Sequence, residues 1–239
     1  MSHATGYIAR DYQALPRGRV AYTAPFDLTP IPKSEWKDRI DYLKEQKAGL
    51  KDVVVAHSLK PSDQNGYRYC WAHGTVNAMR VLRAKEGQPY ADLSATAVAA
   101  QIKNFRDQGG NTFDAIPFVA EHGVPTFANW PQNKVDRKYV TEAMKDEAAR
   151  YKLTEWYELE PNDFEQKATC LLNGIPVVAG YSHWGHMICD LELVYKGDEF
   201  GVHFMNSWGE DYGEGGFGEL WGRKAVSFDQ AAPRVVRVA

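Results

Sequence analysis

The hydrophobic pattern changes period near Trp130, and that change restricts what the chain can fold into. Ahead of it, apolar residues recur at helical spacing. The run SEWKDRIDYLKEQKAG places Trp36, Ile40 and Leu43 on one face, with Ser34 as a cap and Gly49 as a stop. A helix beginning near Cys70 continues through Leu82 with Gly87 just past its end, and SATAVAAQIKNFRDQ and FDAIPFVAEHG read as two more. Beyond Trp130, one charged helix, DRKYVTEAMKDEAARY, precedes KLTEWYELE, which alternates like a strand. NDFEQKATCLLNG reads as a helix capped by Asn162 and stopped by Gly174, and IPVVAGY, HMICDLELVY and FGVHFMN follow as strands. Helices grouped ahead of strands imply an α+β protein.

A chain of 239 residues is long enough for one domain with two lobes. No apolar run approaches the length that spans a bilayer, so no membrane insertion is expected. A formal net charge of -3 gives no electrostatic footprint for nucleic acid. The start, MSHATGYIARDYQALPRGRV, lacks the basic cap and apolar stretch of a secretory signal, and a cytoplasmic or particle-associated protein is expected. Cys70, Cys170 and Cys189 are odd in number and far apart, which argues for reduced thiols rather than a disulfide scaffold. The first 33 residues, ending PFDLTPIPK, have no sustained period. They read as an arm, laid over something or free, that a protein partner is able to engage.

Chemistry concentrates in SDQNGYRYCWAHG, residues 62–74, where a cysteine opens a helix. Unpaired backbone N–H groups and the helix dipole favour a thiolate there, and a nearby imidazole favours it further. The segment resembles the surroundings of the nucleophile in papain-like cysteine peptidases, with Gln64, Cys70, Trp71 and Ala72 in the family's places. NSWGEDYGEGGFGEL, residues 206–220, is similar to the family's Asn-Ser-Trp-Gly segment, and LSATAV with GGNTFDAIPFVAEHGV resembles the stretch between. The resemblance covers roughly residues 60–224. It implies a helical N-terminal lobe (about 60–130) and an antiparallel β-rich C-terminal lobe (about 131–239), with a cleft between them and residues 1–59 forming an arm and helix ahead.

The resemblance also implies roles. Cys70 attacks a carbonyl carbon, and a histidine holds it as a thiolate–imidazolium pair and then protonates the leaving amine. Of the two histidines in SHWGHMICD, His186 is the choice, because it opens the apolar strand and precedes Asn206 by 20 residues, enough for a hairpin that returns the chain beside it, and His183 is the alternative. Asn206 orients the imidazole, and Gln64 with the Cys70 backbone N–H forms the oxyanion hole. Trp208 covers the Asn206–His186 bond and borders the cleft, Gly109 and Gly110 line it where an extended substrate pairs with backbone, and His203 belongs to the opposite strand face. No cofactor is implied, and the substrate is a polypeptide.

Several positions depart from the family pattern. Tyr67 replaces a cysteine, Arg68 replaces a glycine and so narrows the cleft or reads an acidic substrate group, and Gly185 replaces an aspartate. The N-terminal 60 residues lack the long periodic helix of the family's inhibitory propeptide, so the protein is expected to react with thiol reagents without cleavage. An isopeptidase, amidase or transpeptidase would use the same acyl-enzyme. From a different class, a structural component of a larger particle that reuses the fold is the alternative. His183-x-x-His186 with Cys189 offers poor metal geometry, since residues three apart on a strand face opposite ways.

Overall fold

The structure is a computed structural model that describes residues 3–12, 23–24 and 26–236. Residues 13–22 and 25 of the N-terminal arm lie outside the described residues. Seven helices, α1 (Trp36–Gln46), α2 (Leu50–Ala56), α3 (Cys70–Lys85), α4 (Ala95–Ile102), α5 (Thr112–His122), α6 (Glu142–Ala148) and α7 (Phe164–Leu172), pack around one sheet. The strands among the described residues are β1 (Thr23–Ala24), β2 (Leu153–Glu158), β3 (Val177–Tyr181), β4 (His186–Lys196), β5 (Glu199–Met205), β6 (Phe217–Trp221) and β7 (Asp229–Val236). They lie in the order β1-β2-β7-β3-β4-β5-β6, every neighbouring pair antiparallel except β1 and β2. This is the α+β architecture expected from the sequence.

Helix α3 is the spine of the helical lobe, and nearly all of its residues are buried. Val76, Met79 and Leu82 pack with α2, α4 and α5 into a core that continues onto β4 through Met187, Cys189 and Leu191. On the other face of the sheet, Trp36 and Ile40 of α1 meet Ala168 and Leu171 of α7 and Ile188 and Leu193 of β4. Strand β4 therefore has helices on both faces, which is why HMICDLELVY reads as nearly continuous apolar sequence. Described residues ahead of Lys60 are part of this body: β1 extends the sheet, and Leu50 and Val54 of α2 enter the core.

Several boundaries differ from the sequence reading, each for a local reason. Helix α1 ends at Lys47, which takes the left-handed conformation (φ 49°), and Gly49 instead precedes α2, a seven-residue helix too short to show a period. Helix α7 is capped by Asp163, whose Oδ1 accepts from the Gln166 N–H at 2.9 Å, while Asn162 sits outside in a left-handed turn. Thr141 caps α6 and shortens the charged helix expected there. Strands β6 and β7 lacked a clear alternation. In β7, Pro233 is accommodated where the β2 register slips between Glu155 and Trp156.

Beneath β3 and β4 lies a buried ion pair, with Lys167 Nζ 2.9 Å from both Asp190 Oδ2 and the Tyr181 hydroxyl and all three side chains inaccessible. Removing one partner strands a buried charge, whereas removing both does not. Asp190→Ala is expected to cost about 3–5 kcal/mol in chemical denaturation, and Lys167→Met/Asp190→Leu together to recover most of that loss.

Candidate active site

Cys70 is the first residue of α3, and no side chain caps that helix, so its first-turn N–H groups face the site. The sulfur is fully buried, and the backbone N–H groups of Met187, Gly6, Trp71 and Cys70 itself pull its pKa down against that burial. Met187 follows His186, the first residue of β4, and packing α3 against this strand brings the cysteine and histidine segments into one core. The antiparallel β4–β5 pair then returns the chain beside the histidine. His186 Nε2 lies 2.8 Å from Asn206 Oδ1, and the other ring nitrogen, Nδ1, has no hydrogen-bond partner.

Trp208 stacks over the His186 ring at 4.3 Å and 26°. The alternative, His183, is exposed and meets Tyr181 edge-on. His203 stands between Glu192 and Glu219 in the strand register, stacked on Phe217 and without contact to Asn206. His73 is buried one turn into α3 with Nδ1 2.9 Å from the Ser62 hydroxyl.

Gln64 is locked to the asparagine segment. Its N–H donates to the Ser207 carbonyl at 2.9 Å, and the Ser207 hydroxyl donates to Gln64 Oε1 at 2.6 Å. That role of Ser207 was not anticipated, although its place directly after Asn206 was the available signal. The arrangement turns Gln64 Nε2 inward, where it donates to a carbonyl oxygen at 3.0 Å. The carbonyl belongs to Ala4.

Residues 3–10 of the arm lie over the residues assigned to the cleft, so of the two expectations for the arm, laid over something or free, these residues follow the first. His3 stacks on Trp208 at 4.5 Å, and the Ala4 carbonyl accepts from both Gln64 and Trp208 Nε1. Gly6 passes so close to the Arg68 carbonyl oxygen that a Cβ there would lie 2.1 Å from it. Tyr7 donates its N–H to the Gly185 carbonyl at 3.0 Å, and the arm pairs in parallel with Gly110, which donates to Gly6 (2.9 Å) and accepts from Ile8 (3.0 Å). Gly109 and Gly110 thus meet an extended backbone as expected, but it is the chain's own. Arg68 departs from expectation: its guanidinium turns to Asp107 at 3.8 Å, and what faces the arm is its carbonyl.

Occupation reverses the expected electrostatics. Burial pushes the Cys70 thiol up to about 11, against the pull of the surrounding N–H groups, and burial drives His186 down to about 4 despite its bond to Asn206. At neutral pH the closed site therefore holds a neutral thiol and a neutral imidazole rather than the thiolate–imidazolium pair. Among the described residues no group of His, Cys, Asp and Glu is arranged to hold a metal ion, and none of the three cysteines is in a disulfide.

The fold is that of the papain-like cysteine proteases, although no family model and no curated protein sequence matches the chain. The solved structure of xylellain, a cysteine protease from Xylella fastidiosa, is 18% identical with a TM-score of 0.68 over 98% of this chain and 97% of that one. Digestive procathepsin L 3 from Tenebrio molitor larval midgut is 15% identical (TM-score 0.64, 74% of this chain and 66% of that one). Bromelain from Ananas comosus in complex with the E64 inhibitor is 17% identical (0.61, 78% and 97%).

The raised thiol gives a pH signature. Iodoacetamide labelling of Cys70 in the intact chain is expected to stay slow at pH 7–8 and to climb toward about 11, where the thiolate forms; a rate already at its plateau at pH 7 would contradict it.

Proposed function

We propose that the chain is a cysteine peptidase that hydrolyses peptide bonds through Cys70, His186, Asn206 and Gln64, and that its N-terminal arm holds it latent. The observation that carries the reading is the His186–Asn206 bond at 2.8 Å under Trp208, with the remaining imidazole nitrogen unpartnered beside the strand residue that touches the Cys70 sulfur. A scaffold has no use for a buried imidazole oriented on one side and left free on the other.

Release of the arm readmits water and removes much of the desolvation that keeps both groups neutral, and the ion pair then becomes accessible at neutral pH. The thiolate attacks the carbonyl carbon of a bound polypeptide. The oxyanion that forms takes the place of the Ala4 carbonyl oxygen at Gln64 Nε2, and the imidazolium gives its proton to the leaving amine. Water then resolves the acyl-enzyme with the imidazole as base. While the arm is bound, what it offers the sulfur is the Gly6 N–H, a donor that the nucleophile cannot attack.

The close approach at Gly6 provides the test. Gly6→Val in the full chain places atoms against the Arg68 carbonyl and expels the arm. This variant is expected to react with E64 at Cys70 at least about tenfold faster than wild type and to hydrolyse fluorogenic peptides. Equal and negligible turnover by Gly6→Val and by Gly6→Val/Cys70→Ala would favour the second reading, a particle component that has closed its groove for good.

A further inference from the structure

The arm is anchored beyond the cleft by one buried cation. Arg10 is 6% exposed, and its guanidinium donates to Glu158 Oε1, lies 3.9 Å from Asp229 Oδ1 and packs 5.0 Å from the centre of the Phe113 ring. Asp229 is wholly buried. It accepts from the Thr112 N–H at 3.1 Å and the Thr112 hydroxyl at 2.6 Å, both fixed at the start of α5. In the sheet register Asp229 is the cross-strand neighbour of Gly180, over which the Tyr7 ring lies so closely that a Cβ would be 2.4 Å from it. The carboxylate thus opens beside the part of the groove that the arm fills.

The partners of Asp229 divide into two groups. Thr112 belongs to the body and stays, while Arg10 leaves with the arm, as does Tyr12, whose hydroxyl donates to the neighbouring Phe228 carbonyl at 3.4 Å. An emptied groove therefore retains an acceptor-rich hollow, walled by Phe113 and rimmed by the half-buried Glu158, around a buried carboxylate that has lost its cation. An uncompensated buried charge is costly, and a guanidinium with its planar fork and aromatic stacking satisfies such a hollow better than any neutral side chain.

We propose that Asp229, Glu158 and Phe113 form a seat for a basic side chain of an incoming polypeptide, and that Arg10 is a resident stand-in for it. The inference rests on the groove being a peptide-binding groove, and it names what that groove selects: polypeptides that place an arginine, or less well a lysine, over this end of the cleft.

The full-length Gly6→Val/Cys70→Ala protein, which cannot turn over, is titrated with a fluorescein-labelled peptide of the sequence of residues 3–12, HATGYIARDY, whose register on the groove is known. Replacing its arginine by citrulline, a neutral isostere, is expected to weaken binding by about tenfold or more, and lysine to bind between the two. Asp229→Asn in the protein removes the discrimination; if that variant fails to fold, Glu158→Gln, at the rim, reduces it. Arginine and citrulline peptides that bind equally, or no binding by any of them, would overturn the seat. In a random peptide pool, the catalytically competent Gly6→Val protein is expected to enrich arginine or lysine at one position of its cleaved products; cleavage without such enrichment would also overturn it. An arginine-over-citrulline preference with no cleavage of the pool would uphold the seat and refute the peptidase reading.

Discussion

Helix α3 packs against strand β4, and the rest of the site is hung on that contact. The first residue of the helix is Cys70 and the first residue of the strand is His186, two positions 116 residues apart in the chain. Every other group is held relative to this pair. Asn77 on α3 donates to the Asn206 carbonyl at 3.3 Å, which ties the helix to the end of β5, and the Gln64 loop is laced to the same segment through Ser207 and through Asp63, bridged to Trp208. Burial on both faces of β4 keeps the contact dry. A dry contact makes hydrogen bonds strong and makes isolated charges costly, and both consequences are visible in the oriented but neutral imidazole.

The arm exploits the first consequence. Its hold on the groove is mostly main chain: carbonyls of Ala4 and Gly6 accept, and N–H groups of Tyr7 and Ile8 donate, to partners that a bound polypeptide would also use. Side chains add three fixtures, the His3 ring on Trp208, the Tyr7 ring over Gly180 and the Arg10 guanidinium among acids.

Much of this was legible in the sequence wherever chemistry is written locally. Gln64, Cys70 and Asn206 lie in short segments whose residue types and order carry the resemblance, and the helices with long apolar periods fell where they were expected. His186 was preferred to His183 as the residue that opens the apolar strand at hairpin distance from Asn206, and β4 begins at His186 while His183 stays in the exposed turn before it. The arm was illegible for a physical reason. A segment held by its own backbone leaves no apolar period, and Gly6, the residue that makes the close passage possible, looks like any loop glycine. Asp229 was hidden likewise, since a strand that begins within SFDQ and contains Pro233 shows no alternation to suggest a buried carboxylate.

Residues 3–12 and strand β1 belong to one polypeptide, so the plug is never diluted away from its groove. A tethered occupant competes at an effective concentration that does not depend on the concentration of protein. Any outside ligand measured on the uncut chain therefore shows an affinity scaled down by the fraction of molecules whose groove stands empty, and severing the chain after residue 12 would raise it without altering one contact in the site.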